Sequence, residues 1–200
     1  MTKIGTLNRL KYYWNRARLK LNNAYYTEYL KKLGVKIGDN STVLYPSYVD
    51  GRWPYLLEIG KNVVISINAT ILTHDAATAF AGDMVKVGKV IIYDHCFIGA
   101  NSTILCNVRI GPDSIVGAGS VISGDVPPNS VYAGNPATFI CTVDEFIQKH
   151  KQLGKSLPFF EAVDFEHAFI KDRQKLLLKE GLRDTFGYIC SRLPKRDTEQ

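Results

Sequence analysis

Two short stretches of this sequence bring together side chains whose types and spacing could do chemistry. In Thr73-His74-Asp75 an imidazole stands next to a carboxylate. An imidazole ordinarily titrates near 6.5, so it can accept a proton from a hydroxyl at neutral pH, which makes general-base chemistry one role open to His74. Asp75 could orient that ring or cap a turn, and a histidine making an ordinary loop hydrogen bond is the plain alternative. In Asp50-Gly51-Arg52-Trp53-Pro54-Tyr55 a carboxylate, a guanidinium and an aromatic plane fall close together. Asp50, Arg52 and Trp53 make a set that suits a sugar-like acceptor, although a folded-back loop with Trp53 as its plug would use the same residues. A catalytic zinc would need three convergent histidines, from His74, His95, His150 and His167. His95 falls in a turn and the last two in expected helices, so no metal is expected.

The elements that must position these residues repeat every six residues. From Ile92 the aliphatic anchors are Ile98, Ile104, Ile110, Val116 and Ile122, and four residues after each anchor sits a compact side chain: Cys96, Ser102, Val108, Ser114, Ser120 and Val126. Neither the helical period nor strand alternation gives a six-residue beat, so the chain must turn a corner once per hexapeptide, as in a parallel β-helix. Three hexapeptides make one triangular coil of 18 residues, and coils stack at a strand spacing of roughly 4.8 Å. Ile92 should therefore lie over Ile110, Ile98 over Val116 and Ile104 over Ile122. The same beat begins earlier, at Ile37, Val43 and Val49, and continues at Ile59, Ile65 and Ile71, which gives four coils. Two intervals break it. Val49 to Ile59 is about four residues too long, and Ile71 to Ile92 is about fifteen too long, an excursion spanning 73–89. Loops leaving a rigid platform are common places for chemistry, and each chemical stretch lies in one of these two breaks.

Composition sets the outer bounds. The chain has 200 residues, 46% hydrophobic and 22% charged, an ordinary globular balance for one domain with helical additions. Its net charge of +6 originates in residues 1–34, which hold eight Lys and Arg against Glu28. No nucleic-acid-binding module accompanies that charge, so nucleic acid is not an expected partner. Leu7, Leu10, Trp14, Ala17, Leu21 and Ala24 recur at helical spacing, predicting a basic amphipathic helix over 6–33 with a weak point at Asn22-Asn23. That stripe could pack on the β-helix or on another subunit, or lie peripherally on an anionic membrane. No apolar run is long enough to span a bilayer, and the four cysteines are read as reduced thiols in a cytoplasmic protein. After Val126, turn formers to about residue 140 are expected to close the solenoid. Helices follow near Val143–Leu153 and Phe165–Glu180, the second continuing toward Arg192. The organisation is therefore 1–34, an N-terminal helix; 35–140, the β-helix; and 141–200, a helical extension. The terminal helices are expected to cap the open ends of the coil or join subunits.

Ile98-Gly-Ala-Asn-Ser-Thr-Ile, Gly117-Ala-Gly-Ser-Val-Ile and Asp125-Val-Pro-Pro-Asn-Ser-Val-Tyr-Ala-Gly-Asn-Pro-Ala together resemble the hexapeptide-repeat sugar O-acetyltransferases. That group includes galactoside, maltose, nodulation and surface-polysaccharide enzymes. The resemblance covers about 35–140. It implies a mainly β fold, a left-handed parallel β-helix of about four coils with an N-terminal helix and C-terminal helices. It also implies a homotrimer, acetyl-coenzyme A along the groove between adjacent β-helices as acyl donor, and direct transfer to a sugar or other small hydroxyl with His74 as base. The matching cofactor positions are Ala100, Ala118, Ser123 and Gly124, with Ala100 and Ala118 stacked 18 residues apart. Basic residues that relatives often place at the positions of Gly124 and Thr138 are missing here, which leaves Lys149, Lys151 or a neighbouring subunit as candidates for the coenzyme phosphates. The acceptor-binding asparagine of the galactoside enzymes has no match, since Leu44 or Pro46 occupies its region. Xenobiotic, serine and amino-sugar acceptors, or a non-catalytic assembly module, remain as alternatives.

Overall fold

The computed structural model describes residues 23–160 and 172–189. They divide into two compact units, one running to Asp144 and the other starting at Glu145.

In the first unit the chain visits three parallel sheets in rotation. The first coil holds β1 (Lys36–Ile37), β2 (Thr42–Val43) and β3 (Tyr48–Val49), and the second β4 (Leu57–Ile59), β5 (Val64–Ile65) and β6 (Thr70–Ile71). A hairpin, β7 (His74–Asp75) and β8 (Lys86–Val87), comes next. The third coil then holds β9 (Val90–Ile92), β10 (Phe97–Ile98) and β11 (Thr103–Ile104), and the fourth β12 (Val108–Ile110), β13 (Ile115–Val116) and β14 (Val121–Ile122). The sheets run β1-β4-β9-β12, β2-β5-β10-β13 and β3-β6-β11-β14. The register is the one that the six-residue beat predicts: Ile92 pairs with Ile110, Ile98 with Val116 and Ile104 with Ile122. The beat also carries across both breaks, with Val49 on Ile71 and Ile71 on Ile104.

The strands are short because each must stop at a corner. One corner stacks Asn40, Asn62, His95, Asp113 and Asn129, all with φ between 54° and 57°. Asn and Asp accept this left-handed conformation more readily than other non-glycine residues. The interior is filled by the anchors: Ile65, Ile71, Ile98, Ile104, Ile110 and Val116 have no exposed surface. The compact residues beside them are buried too, and the serines spend their hydroxyls on backbone carbonyls, Ser102 on Gly99 at 2.6 Å and Ser114 on Pro127 at 2.9 Å. Among the described residues no buried side-chain polar atom lacks a partner.

The two ends of the coil are closed differently. At the start, β2 is an edge strand, and its outward amides would be unpaired. The helix α1, described over 23–33, answers them. The Thr27 hydroxyl accepts from Val43 N at 3.2 Å, and the Asn23 side-chain oxygen Oδ1 accepts from Tyr45 N at 2.9 Å. One helical turn and two strand residues advance by nearly the same length, so Asn23 and Thr27 match Tyr45 and Val43. This docking turns Tyr26, Thr27 and Leu30 inward and leaves Ala24 exposed, which departs from the expected stripe at its last member. Its other members lie outside the described residues. At the far end a hairpin stands where only turn formers were expected. β15 (Ser130–Gly134) pairs in parallel with β13, and β16 (Ala137–Thr142) folds back antiparallel on β15. The Ser130-Val131-Tyr132 run buries Ser130 and Val131 and extends the sheet by a further rung.

In the second unit α2 (Val143–Ser156) covers the expected first helix. Of the expected second helix, the part from Asp172 on is present as α3 (Asp172–Gly181), and 161–171 lie outside the described residues. The expected continuation toward Arg192 does not occur at Tyr188–Ile189. That pair forms β18 alongside β17 (Phe159–Phe160) in parallel, and 190–192 lie outside the described residues. His150 Nδ1 meets the Tyr188 hydroxyl at 2.8 Å, and His167 is outside the described residues. No described helix is long and apolar enough to cross a membrane.

Candidate active site

The stacking of Val49 on Ile71 brings the two sequence breaks together. Asp50 N donates to Ile71 O at 3.0 Å, so the residue after Val49 lies alongside the start of the long excursion. Thr73 and Asp50 are both buried, with 0% and 1% of their surface exposed. The Asp50 carboxylate collects four donors. Oδ1 takes the Arg52 amide at 3.0 Å. Oδ2 takes the Thr73 amide at 3.1 Å, the Thr73 hydroxyl at 2.6 Å and His74 Nδ1 at 2.5 Å. Burial alone would raise this carboxyl, but hydrogen bonds from Thr73, His74 and the two amides outweigh it and hold Asp50 down at about 2.

An ionised carboxylate only accepts, so the hydrogen shared with His74 belongs to Nδ1. In the neutral imidazole the lone pair then sits on Nε2. Four donors and a buried location also fix the ring's orientation, and the His74 side chain keeps 22% of its surface open. The arrangement leaves Nε2 with the capacity to accept a proton, its tautomer set by the carboxylate behind the ring.

Asp75 plays the other part that its position allowed. Neighbours in a strand point to opposite faces, so Asp75 faces away from the ring that Asp50 holds. Its Oδ1 accepts from Ala77 N at 2.9 Å and caps the 3-10 helix Ala76–Ala81. The excursion beyond it is a tied hairpin. His74 pairs with Val87 and Asp75 with Lys86, Gly88 N donates to Thr73 O at 2.9 Å, and Thr78 Oγ1 accepts from Lys86 N at 2.8 Å. Its apolar tip is open, with Phe80 100% exposed and Met84 58%.

The shorter break supplies the wall beside the imidazole. Trp53 is half-buried, its ring edge-on to His74 with centroids 5.1 Å apart and planes at 70°. The Arg52 guanidinium lies 4.8 Å from the same indole centroid. Asp50, grouped at first with Arg52 and Trp53 as an acceptor contact, is instead buried and committed to His74. The participant that sequence reasoning missed is Thr73. A usable signal existed, because register arithmetic stacks Val49 on Ile71 and so places Asp50 beside Leu72-Thr73.

The remaining candidates lie on the regular coils. Ala100 and Ala118 occupy equivalent corners on consecutive turns, with Gly119 N donating to Ala100 O at 2.8 Å. Ala118, Ser123 and Gly124 are exposed and Ala100 is half-buried. Backbone is accessible at Gly124, where an added Cβ would meet nothing within 4 Å. His95 sits at its corner with Nε2 2.9 Å from Asn62 Nδ2. Among the described residues no three His, Cys, Asp or Glu side chains are grouped to hold a metal ion.

With this geometry in place, known proteins offer a comparison. The model of the bacterial transferase hexapeptide, described as six repeats, matches residues 89–124. YvoF of Bacillus subtilis (strain 168), provisionally named an acetyltransferase, is 34% identical over 120 residues, covering 60% of this chain and 67% of its own. Protein CapG of Staphylococcus aureus is 36% identical over 128 residues, covering 60% and 73%. Among solved structures, a maltose O-acetyltransferase from Clostridium difficile 630 is 32% identical at a TM-score of 0.47, covering 55% of this chain and 59% of that one.

Proposed function

The chain belongs to the hexapeptide-repeat transferases of bacteria, and on that premise we propose that it is an acetyl-coenzyme A-dependent O-acetyltransferase acting on a sugar or surface-polysaccharide precursor. The observation that carries this reading is the pairing of His74 Nδ1 with the buried, ionised Asp50. An alcohol attacking a thioester carbonyl must lose its proton, and an amine has less need of a base, so the pair favours a hydroxyl acceptor.

In the reaction the acceptor hydroxyl lies against Nε2 of His74. Its oxygen forms the new C–O bond with the acetyl carbonyl carbon as its proton passes to Nε2. The tetrahedral intermediate then collapses, the C–S bond breaks, and the same proton leaves with the coenzyme thiolate. The imidazolium that forms in between is paired with Asp50, whose low pKa keeps it charged throughout. Holding two substrates in register supplies much of the acceleration, so no covalent enzyme intermediate is required.

Ala100, Ala118, Ser123 and Gly124 support the donor arm of this reading, since small side chains on consecutive rungs leave backbone amides and carbonyls open to an extended pantetheine chain. The coil is taken as left-handed and the assembly as a homotrimer. The exposed apolar tip at Phe80, Met84, Val85 and Val87 is the surface a second copy would cover. Peripheral contact with an anionic membrane is the further role proposed for the basic N-terminal helix over 1–34.

Free-thiol release from acetyl-coenzyme A across neutral sugars, sugar acids, sugar phosphates, nucleotide sugars, serine and chloramphenicol tests the proposal. Acetyl transfer to a sugar hydroxyl, lost in His74→Ala while the assembly state persists, is the expected outcome. Activity of His74→Ala within tenfold of the parent removes His74 as the base.

A further inference from the structure

We propose that the acceptor is an anionic sugar, one whose carboxylate or phosphate is held by the guanidinium of Arg52 while its hydroxyl meets His74; this rests on the acetyl-transfer reading above. Three observations converge on it. First, Arg52 is exposed and, among the described residues, no carboxylate lies within ion-pair distance of it. A guanidinium presents five donors in a planar fork that matches a carboxylate or phosphate two bonds at a time. Here that fork is held against the indole, and no carboxylate among the described residues takes it up.

Second, Arg52 is positioned by the same carboxylate that positions the base. Asp50 Oδ1 accepts the Arg52 amide and Asp50 Oδ2 accepts His74 Nδ1. The Asp50 oxygens are occupied by the Arg52 amide, the Thr73 amide and hydroxyl and His74 Nδ1, and its ion pair is with His74.

Third, Trp53 joins the two groups from the side. The guanidinium lies 4.8 Å from the indole centroid, and the His74 ring centroid lies 5.1 Å from it. Sharing the indole keeps the guanidinium and the imidazole within 9.9 Å of each other, a range that includes a hexose with one charged substituent. Stacking on the indole removes much of the rotational freedom that an exposed arginine would otherwise lose on binding, leaving the fork pre-ordered. A neutral sugar would use the indole and the base but leave the cation unpaired. An anionic one uses all three.

Glucose, glucuronate and glucose 1-phosphate, tested one by one with the full chain, separate the possibilities. Thiol release from acetyl-coenzyme A gives kcat/KM for each. Binding without turnover is read from Trp53 fluorescence in a Trp14→Phe background, where Trp53 is the remaining tryptophan. The expected result is at least tenfold tighter binding, and at least tenfold higher kcat/KM, for one of the two anions over glucose. Arg52→Gln should collapse that ratio to near one, and Arg52→Lys should keep part of it. Preference for glucuronate identifies a sugar acid, and preference for glucose 1-phosphate a phosphorylated or nucleotide-linked sugar. Equal binding of all three by the parent, or a preference that survives Arg52→Gln, overturns the proposal while acetyl transfer itself stands. Anion binding that depends on Arg52 with no acetyl transfer to any acceptor preserves the anion site and sinks the acetyl-transfer reading.

Discussion

The first two coils and the last two obey one register but do different things with it. Between Val90 and Ile122 the hexapeptides run without a break, corners stack on corners, and the small residues Ala100 and Ala118 recur on equivalent positions. Between Ile37 and Ile71 the same coils are opened, by a short break after Val49 and a long one after Ile71, and Asp50, Arg52, Trp53 and His74 lie in those openings. The two histidines show the contrast. His95, in the regular half, is a corner residue at φ 56° doing the work of an asparagine. His74, in the interrupted half, is fixed by a buried carboxylate and still partly open to solvent. Regular stacking supplies rigidity, and interruption places reactive groups against it.

That contrast can be broken at several points. The largest effect is expected at His74. Replacement by alanine should lower kcat by about 10³-fold, within the range for loss of a general base, whereas His95→Asn should leave kcat within about threefold, because asparagine suits a left-handed corner. Comparable losses in both variants would erase the distinction. Next, Asp50→Asn should lower kcat by about 10²-fold with a smaller change in either KM, since an amide can offer a donor to Nδ1 and favour the unproductive tautomer. Asp75→Asn, by contrast, should cost little activity, because that side chain only caps a turn. The regular half should answer through stability. A Cβ at Gly99 would come within 2.5 Å of Ala118 N, so Gly99→Val should destabilise the fold by about 3 kcal/mol or more in urea unfolding.

The smallest effect is a pH dependence. Asp50 is held at about 2 against about 3.9 for an unfolded aspartate, so its pairing stabilises the fold fully above the unfolded value and loses that contribution as pH falls toward about 2. Parent and Asp50→Asn should therefore differ by about 2 kcal/mol at pH 7, and the gap should close between about pH 4 and pH 2. A gap that persists at pH 2 would mean that the destabilisation has another origin.

Much of this was legible in the chain. A six-residue beat of aliphatic anchors admits one kind of coil, and counting by 18 gave the stacking of Ile92 on Ile110 and of Ile98 on Val116 because solenoid contacts are nearly local in sequence. The breaks were equally visible, since each appears as an interval of the wrong length. The terminal hairpin β15–β16 was not. Pro127, Pro128, Gly134 and Pro136 read locally as turn formers, while the open edge of β13 recruits the residues between them into strands.

Sequence by itself determined the coil, its register, the position of both excursions and the candidate base at the root of the longer one, because all of these follow from periodicity along one chain. Which carboxylate serves His74 was decided by the tertiary structure. Adjacency favoured Asp75, but adjacent strand residues face opposite sides, and the stacking of Val49 on Ile71 carries Asp50 across a coil to the ring. The same crossing sets Arg52 and Trp53 beside the base, a meeting of two breaks that no spacing within either one contains.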